Sequence, residues 1–180
     1  MDYQYANNQS IQRVAATLQR ALLLIALCLG LAACEGDAVD AAAAPATTPI
    51  ALEVLKDPSC GCCALWVDHV TERGFVAQIS HPADLNREKL ERGIAPQYQS
   101  CHTAVSAEGF VFEGHVPANL IQRFLDQKPE NALGLAVPGM PLGSPGMELG
   151  DQFQPYDVLL LKTDGTAEVY ARVNTAAEQY

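Results

Sequence analysis

The chain has few basic residues, with 11 Lys and Arg against 21 Asp and Glu, so its formal net charge is −10. Nucleic-acid-binding proteins need a basic face to displace counterions from phosphates, and this composition argues against that class and against a nucleic-acid partner. The chain also lacks internal repeats and any run of five or six acidic residues. The acidic residues therefore indicate a solvated surface and not an acidic binding tail.

A membrane-spanning run is also missing near the N-terminus. The apolar segment Ala21–Leu31 has 11 residues, whereas about 20 are needed to cross a bilayer. What the chain does have is 180 residues, 49% of them hydrophobic, and six cysteines. The hydrophobic content is enough for a core and excludes disorder of the whole chain, and the length allows one domain.

The N-terminal residues have the features of an export signal. Arg13 and Arg20 precede the apolar segment, which ends in Leu31-Ala32-Ala33-Cys34. This ending resembles the bacterial lipobox, so we expect residues 1–33 to be a lipoprotein signal peptide and Cys34 to be lipidated. The alternative is an ordinary signal peptide cleaved near Ala33. The residue after Cys34 is Glu35 and not Asp, which favours the outer membrane by resemblance to known sorting patterns.

Residues 34–49 are predicted to be a flexible Ala/Pro/Thr linker, and residues 50–180 a folded domain. Removal of the signal peptide would take away two bases and one acid and leave a net charge of −11. Within the domain, alternation and helical spacing predict successive elements. Strands are expected at 51–56, 75–80, 103–106, 110–113, 156–161 and 166–173, and helices at 62–73, 84–92 and 117–127. Residues 129–155 contain five Pro and five Gly and are expected to form a long irregular loop.

This succession predicts an α/β domain. A strand that runs directly into a Cys-rich turn and a helix is typical of a thioredoxin-like fold, here with a long Pro/Gly/Met loop and an extra β-hairpin. Two hairpins could complete the central sheet, the one around Gly109 and the one around Gly165, and the sequence does not decide between them.

Four cysteines remain for chemistry once Cys28 is removed with the signal peptide and Cys34 carries lipid. Three of them, Cys60, Cys62 and Cys63, lie within four residues at a helix N-terminus, where the helix dipole and free N–H groups favour the thiolate. Crowded thiolates suit soft metals such as Cu(I) or Zn. The fourth, Cys101, precedes a strand and could approach the other three.

Two other interpretations of these cysteines stay open. Cys60 and Cys63 have the C-x-x-C spacing of thiol–disulfide exchange proteins, although the thiol of Cys62 would compete in each mixed disulfide. Alternatively, an exported domain with four cysteines can form two structural disulfides, and the least strained choice pairs Cys60 with Cys63 and Cys62 with Cys101.

Further metal-ligand candidates are His102, which adjoins Cys101, and His115, which precedes a helix. A lone histidine at the position of His115 is more often a surface or capping residue. Met140 and Met147 each follow Pro-Gly in the long loop and could present thioethers, or could instead cover an apolar edge.

Four motifs resemble the CopG-type copper-resistance proteins, a family exported by bacteria. They cover about residues 52 to 173 in the family's order, and they are Cys60-Gly61-Cys62-Cys63, Ser100-Cys101-His102-Thr103-Ala104, Gly114-His115-Val116-Pro117-Ala118 and Gly134-Leu135-Ala136-Val137-Pro138-Gly139-Met140. The resemblance implies a thioredoxin-like fold, a periplasmic location and more than one copper ion on the Cys-x-Cys-Cys motif. Carried over by position, Cys60, Cys62 and Cys63 would bind and bridge copper, Cys101 would be the next ligand, and His102, His115, Met140 and Met147 would be secondary candidates.

The sequence thus leads to a hypothesis: an exported, lipid-anchored protein that holds Cu(I) in a thiolate cluster for copper resistance or homeostasis. Its partners would be copper ions, other periplasmic copper-handling proteins and a membrane. The alternative is an oxidoreductase that acts on copper or on disulfides through Cys60 and Cys63, and whether the protein is an enzyme is left open. A third hypothesis is a structural or interaction lipoprotein whose cysteines serve only as disulfide cross-links.

Overall fold

The structure is a computed structural model, and it describes residues 49–180. The predicted signal peptide, Cys34 and nearly all of the predicted linker lie outside the described residues. The described part is a mixed α/β fold. Its strands are β1 (Ile50–Lys56), β2 (Phe75–Ser80), β3 (His102–Ser106), β4 (Val111–Gly114), β5 (Ala132–Val137), β6 (Tyr156–Lys162) and β7 (Ala167–Val173). Its α-helices are α1 (Gly61–Thr71), α2 (Leu85–Glu91) and α3 (Ala118–Gln127).

All these strands join one seven-stranded sheet in the order β2-β1-β3-β4-β5-β6-β7. The pairs β1–β2 and β4–β5 are parallel, and the others are antiparallel. Each parallel pair is connected through a helix, α1 in the first case and α3 in the second, because parallel neighbours need a crossover connection. Both hairpins that competed at the level of sequence, β3–β4 and β6–β7, therefore belong to the same sheet.

The main core lies between one face of the sheet and the helices α1 and α3. Trp66 of α1 and Phe124 of α3 are fully buried there against Leu52, Phe112 and Leu135 of the sheet. A second, smaller cluster covers the opposite face. It joins Val111 to Ile94, which lies three residues after the end of α2. Val111 and Phe112 lie on opposite faces because neighbouring residues of a strand point to opposite sides of a sheet.

The mixed α/β class is confirmed, and the predicted helices and strands agree with the structure to within about two residues at each end. One expectation is wrong. Residues 129–155 are not irregular throughout, because Ala132–Val137 form β5 in the middle of the sheet. The Pro and Gly content of the whole segment hid a short apolar strand, whose inner residues are fully buried between β4 and β6.

None of the helices in the part of the chain that the structure describes is long and apolar enough to cross a membrane.

Candidate metal centre

The Cys-x-Cys-Cys motif lies at the point where β1 ends and α1 begins. Asp57 accepts hydrogen bonds from the backbone N–H and the hydroxyl of Ser59, which shapes the turn, and Cys60 then stands at the N-cap of α1 with an extended backbone. No side chain caps the helix, so the free N–H groups of its first turn lie beside the sulfur atoms. A helix N-terminus favours the thiolate form of a cysteine in general, and its effect on these cysteines stays a prediction.

Cys60 and Cys63 form a disulfide, and Cys62 and Cys101 carry free thiols. The Sγ atom of Cys62 lies 3.6 Å from that of Cys60. Of the two structural disulfides in the alternative interpretation, Cys60–Cys63 is present and Cys62–Cys101 is not. The C-x-x-C pairing that the redox interpretation requires is present.

The four sulfur atoms of Cys60, Cys62, Cys63 and Cys101 all lie within 4.8 Å of one another. Cys101 reaches the others because it stands immediately before β3, which pairs with β1 and so brings His102 opposite Lys56 at the end of β1. The Sγ atom of Cys63 is 3.9 Å from the carbonyl oxygen of Cys101. Four residues that the sequence put in two separate segments thus share one centre.

Cys101 also belongs to a second group, with His102 and His115, whose ligand atoms again lie within 4.8 Å of one another. Its Sγ atom is 3.0 Å from Nε2 of His115 and 3.3 Å from Nδ1 of His102. Burial raises the pKa of the Cys101 thiol to about 11, with a smaller contribution from nearby Cys62. Without a metal, Cys101 is therefore a neutral thiol at physiological pH.

The orientation of the His115 ring is fixed by Pro145, which is not one of the three clustered residues Cys101, His102 and His115. Its Nδ1 atom lies 2.7 Å from the carbonyl oxygen of Pro145, which can only accept, so Nδ1 carries the proton and Nε2 presents a lone pair toward Cys101. Histidine ligands of metals usually have such a partner on the second nitrogen. His115 is fully buried, so the interpretation as a surface or capping residue is wrong.

His102 is also fully buried, and its ring packs against Trp66 with 4.3 Å between ring centroids. Its Nε2 atom has no hydrogen-bond partner among the described residues. Burial, and then the neighbouring His115, lower the pKa of His102 well below its ordinary value. Burial likewise lowers the pKa of His115. Both rings are therefore neutral, which is the form that coordinates a metal.

The loop of residues 138–147 packs against the N-terminal end of α1. Gly146 has a φ of +86°, and a Cβ atom there would stand 2.7 Å from both the carbonyl oxygen of Cys62 and the amide nitrogen of Trp66. Only glycine permits this close approach, so the loop backbone lies directly on the first turn of α1. The same loop supplies the carbonyl of Pro145 that holds His115.

The two methionines lie on this loop but differ in exposure. The side chain of Met140 is 54% exposed, and Met147 is half-buried one residue after Gly146. Their exposure agrees with the expectation from the sequence that they do not fill the core, and whether their sulfur atoms bind a metal stays a prediction.

The sequence analysis missed a buried ion pair beside the centre. Lys89 of α2 and Glu113 of β4 are 1% and 0% exposed and bond to each other, and both hold the backbone of Ser100. The spacing of 24 residues between the pair gives no sequence signal. A lysine on a short polar helix and a glutamate near the end of a strand are usually exposed, so the sequence did not indicate that Lys89 and Glu113 are buried.

Comparisons with known proteins gave matches to one family model and to two solved structures. A family model described as "Protein of unknown function, DUF411" matches residues 98–147, the segment from the approach to Cys101 through the Pro/Gly/Met loop. Two solved structures, titled "Copper resistance protein copG- Form 1" and "Copper resistance protein copG- Form 2", are each 41% identical to this chain, with a TM-score of 0.65. The match covers 69% of this chain and 98% of each of theirs. The curated proteins contain no significant match. The chain therefore belongs to the family of copper resistance protein CopG.

Proposed function

We propose that this protein binds Cu(I) as its cargo in a cluster of cysteine thiolates and contributes in this way to copper resistance or homeostasis. One observation carries the proposal: the sulfur atoms of Cys60, Cys62, Cys63 and Cys101 lie within 4.8 Å of one another. Four soft ligands at this spacing suit Cu(I), and four sulfurs can be shared between more than one ion.

The chemistry of the donors fits copper. His102 and His115 add two neutral nitrogen ligands that share Cys101 with the thiolate set, and soft thiolate with imidazole is a combination that copper accepts. A structural zinc site would normally draw on two separated pairs of ligands, whereas three of these cysteines stand within four residues. Met140 and Met147 would complete the shell with thioethers.

The redox state of Cys60 and Cys63 decides how many sulfurs are available. Their disulfide leaves two thiols, Cys62 and Cys101, and a two-electron reduction by a thiol reductant would provide all four. We therefore expect full copper loading only after this disulfide is reduced.

The element order supports a thioredoxin-like fold for the first part of the domain. The succession β1–α1–β2–α2–β3–β4–α3 with the strand order β2-β1-β3-β4 places the Cys-x-Cys-Cys motif after the first central strand. In this interpretation β5 is an addition to the edge of that unit, β6–β7 is the extra hairpin, and the loop before β6 provides the methionines.

The test is a titration of anaerobically reduced protein with Cu(I) in competition with a chromophoric Cu(I) chelator. The proposal expects more than one tightly bound copper ion per chain and a loss of at least one on Cys62→Ser or Cys101→Ser. The control His81→Asn retains both thiols and should bind copper as wild type does, and a Cys62→Ser or Cys101→Ser variant that binds as much copper as this control would overturn the proposal. His81 is exposed and serves as a neutral position for the matched substitution.

A second candidate function is favoured by the Cys60–Cys63 disulfide, which is the C-x-x-C pairing of an oxidoreductase. Reduction of this disulfide takes two electrons, the number that two Cu(I) ions release when both become Cu(II). A dithiol substrate could supply the same two electrons by exchange. Catalytic transfer of two electrons through Cys60 and Cys63 from a dithiol, or from two Cu(I) ions, to a model disulfide by wild type, lost in Cys63→Ser, would support the enzyme. A stoichiometric reaction without turnover would favour the cargo protein.

We further propose that the protein is exported and anchored to a bacterial membrane through lipid on Cys34, with the domain on the periplasmic side and the outer membrane favoured. Fractionation of cells that express wild type and Cys34→Ser tests this. We expect wild type in the membrane fraction and the variant in the soluble periplasmic fraction. Equal distribution of the two proteins would contradict lipid anchoring and leave the copper site unaffected.

A further inference from the structure

The peptide groups on both sides of Ser100 are held by a buried ion pair. The carboxylate of Glu113 accepts the N–H of Ser100, at 2.6 Å, and the ammonium of Lys89 donates to the carbonyl oxygen of Ser100, at 2.9 Å. Lys89 also donates to Glu113 itself. Ser100 immediately precedes Cys101, so the pair fixes the backbone from which the Cys101 side chain leaves.

The pair is integrated into the sheet. The second carboxylate oxygen of Glu113 accepts from the hydroxyl of Thr103, at 2.5 Å, and these two residues are register partners across β3 and β4. Cys101 lies two residues before Thr103, and His115 lies two residues after Glu113. The ion pair is therefore close along both strands to the contact between Cys101 and His115, which is the shortest sulfur–nitrogen distance in the centre. The hydroxyl of Ser100 also donates to the carbonyl oxygen of Gly139, which ties the same residue to the methionine loop.

A buried ion pair is weak evidence for stability, because the cost of removing both charges from water offsets most of their attraction. Lys89 and Glu113 are both buried, and each of them bonds to the backbone of Ser100, the residue next to Cys101. We propose that the Lys89–Glu113 pair is a positioning device for Cys101: it holds the thiol within reach of both His115 and the Cys-x-Cys-Cys motif. This inference rests on the proposed function, since the position matters for copper.

The test compares three double variants with wild type. Lys89→Met/Glu113→Leu removes every contact of the pair with Ser100, and Lys89→Met/Glu113→Gln retains an oxygen that can accept the Ser100 N–H. The control, Arg92→Met/Glu88→Gln, removes an ion pair between residues one turn apart at the end of α2, and this pair does not contact Ser100. Each protein is measured for thermal stability, for Cu(I) affinity by chelator competition, and for the alkylation rates of Cys101 and Cys62 in the metal-free state.

We expect the Leu variant to bind Cu(I) about 10- to 100-fold more weakly, the range found for residues that orient metal ligands, and the Gln variant to fall between it and wild type. The ratio of Cys101 to Cys62 alkylation should rise in the same order, because a freed Ser100 lets the buried thiol move toward solvent. The control should leave both quantities unchanged.

Wild-type affinity and an unchanged alkylation ratio in folded variants would overturn the inference, as would an equal change in the control. If the Leu variant does not fold, the Gln variant decides by the same two readouts. If wild type itself fails to bind Cu(I), the proposed function fails, and the alkylation ratio still tests whether the pair positions Cys101.

Discussion

The Nε2 atom of His115 lies 3.0 Å from the Sγ atom of Cys101, although fourteen residues and a β-hairpin separate the two along the chain. The pairing of β3 with β4 creates this contact, and the Pro145 carbonyl 2.7 Å from Nδ1 of His115 keeps the lone pair of Nε2 directed at the sulfur. The contact joins the cysteine cluster to a nitrogen ligand and predicts that His115 takes part in copper binding.

The substitution His115→Ala should lower the affinity for Cu(I) by about 10- to 100-fold, because it removes a ligand whose ring is already oriented. Chelator competition with reduced protein measures this. His81→Ala is the matched control, since that ring is exposed and bonds only to the carbonyl oxygen of Lys56 among the described residues. Equal affinities of the two variants would remove His115 from the site.

The close approach of Gly146 to α1 should make Gly146→Ala much more damaging than Gly139→Ala. Both glycines have a positive φ, +86° and +73°, so both substitutions carry backbone strain of about 1 kcal/mol or more. Only at Gly146 would the new Cβ also meet the backbone of Cys62 and Trp66. We expect Gly146→Ala to lose at least about 1 kcal/mol more in urea unfolding and to weaken Cu(I) binding, whereas Gly139→Ala should bind as wild type does. Equal unfolding free energies would show that the loop adapts without cost.

The raised pKa of Cys101, about 11, predicts a pH-dependent affinity. This thiol must lose a proton when copper binds, so the apparent affinity should rise by about tenfold per pH unit from Cys101 alone below that pKa. The measurement is Cu(I) competition from pH 6 to pH 8 for wild type and Cys101→Ser, and the variant should release one proton fewer. Identical slopes for the two proteins would mean that Cys101 does not bind as a thiolate.

His69 should make the fold sensitive to acid. Burial lowers its pKa to about 4, from 6.5, and its Nε2 atom accepts the backbone N–H of Ala118 at 3.1 Å, so the fold requires the neutral ring. Because the folded pKa is the lower one, the contribution to stability is complete above pH 6.5 and is lost as the pH falls toward 4, by about 3 kcal/mol.

Urea unfolding at pH 7, 5 and 4 measures this effect in wild type and in His69→Gln. Glutamine can accept the same N–H without titrating, so the variant should lose about 3 kcal/mol less than wild type between pH 7 and pH 4. A parallel decline of the two proteins would assign the acid sensitivity to other groups, such as His102 and His115.

Local features of the fold and the centre were predictable from the sequence. The helix start after Cys60 and the end of α1 before Gly74 follow from residue spacing and from a glycine with φ of +90°. The strand β5 was not predictable, because Pro and Gly on both sides dominate the composition of its segment. The buried state of His115 was also missed, since a single histidine before a helix has no periodic pattern to place it.

The sequence by itself determined which cysteines lie together at the start of α1, because three residues within four positions cannot separate at a helix N-terminus. Tertiary structure alone decided that Cys101 and His115 join them, that the backbone at Gly146 packs onto the helix, and that Lys89 and Glu113 hold Ser100. Those contacts depend on strand pairing and on burial of groups that are distant along the chain. Their free energy comes from packing the whole sheet and its helices, which no local stretch of sequence contains.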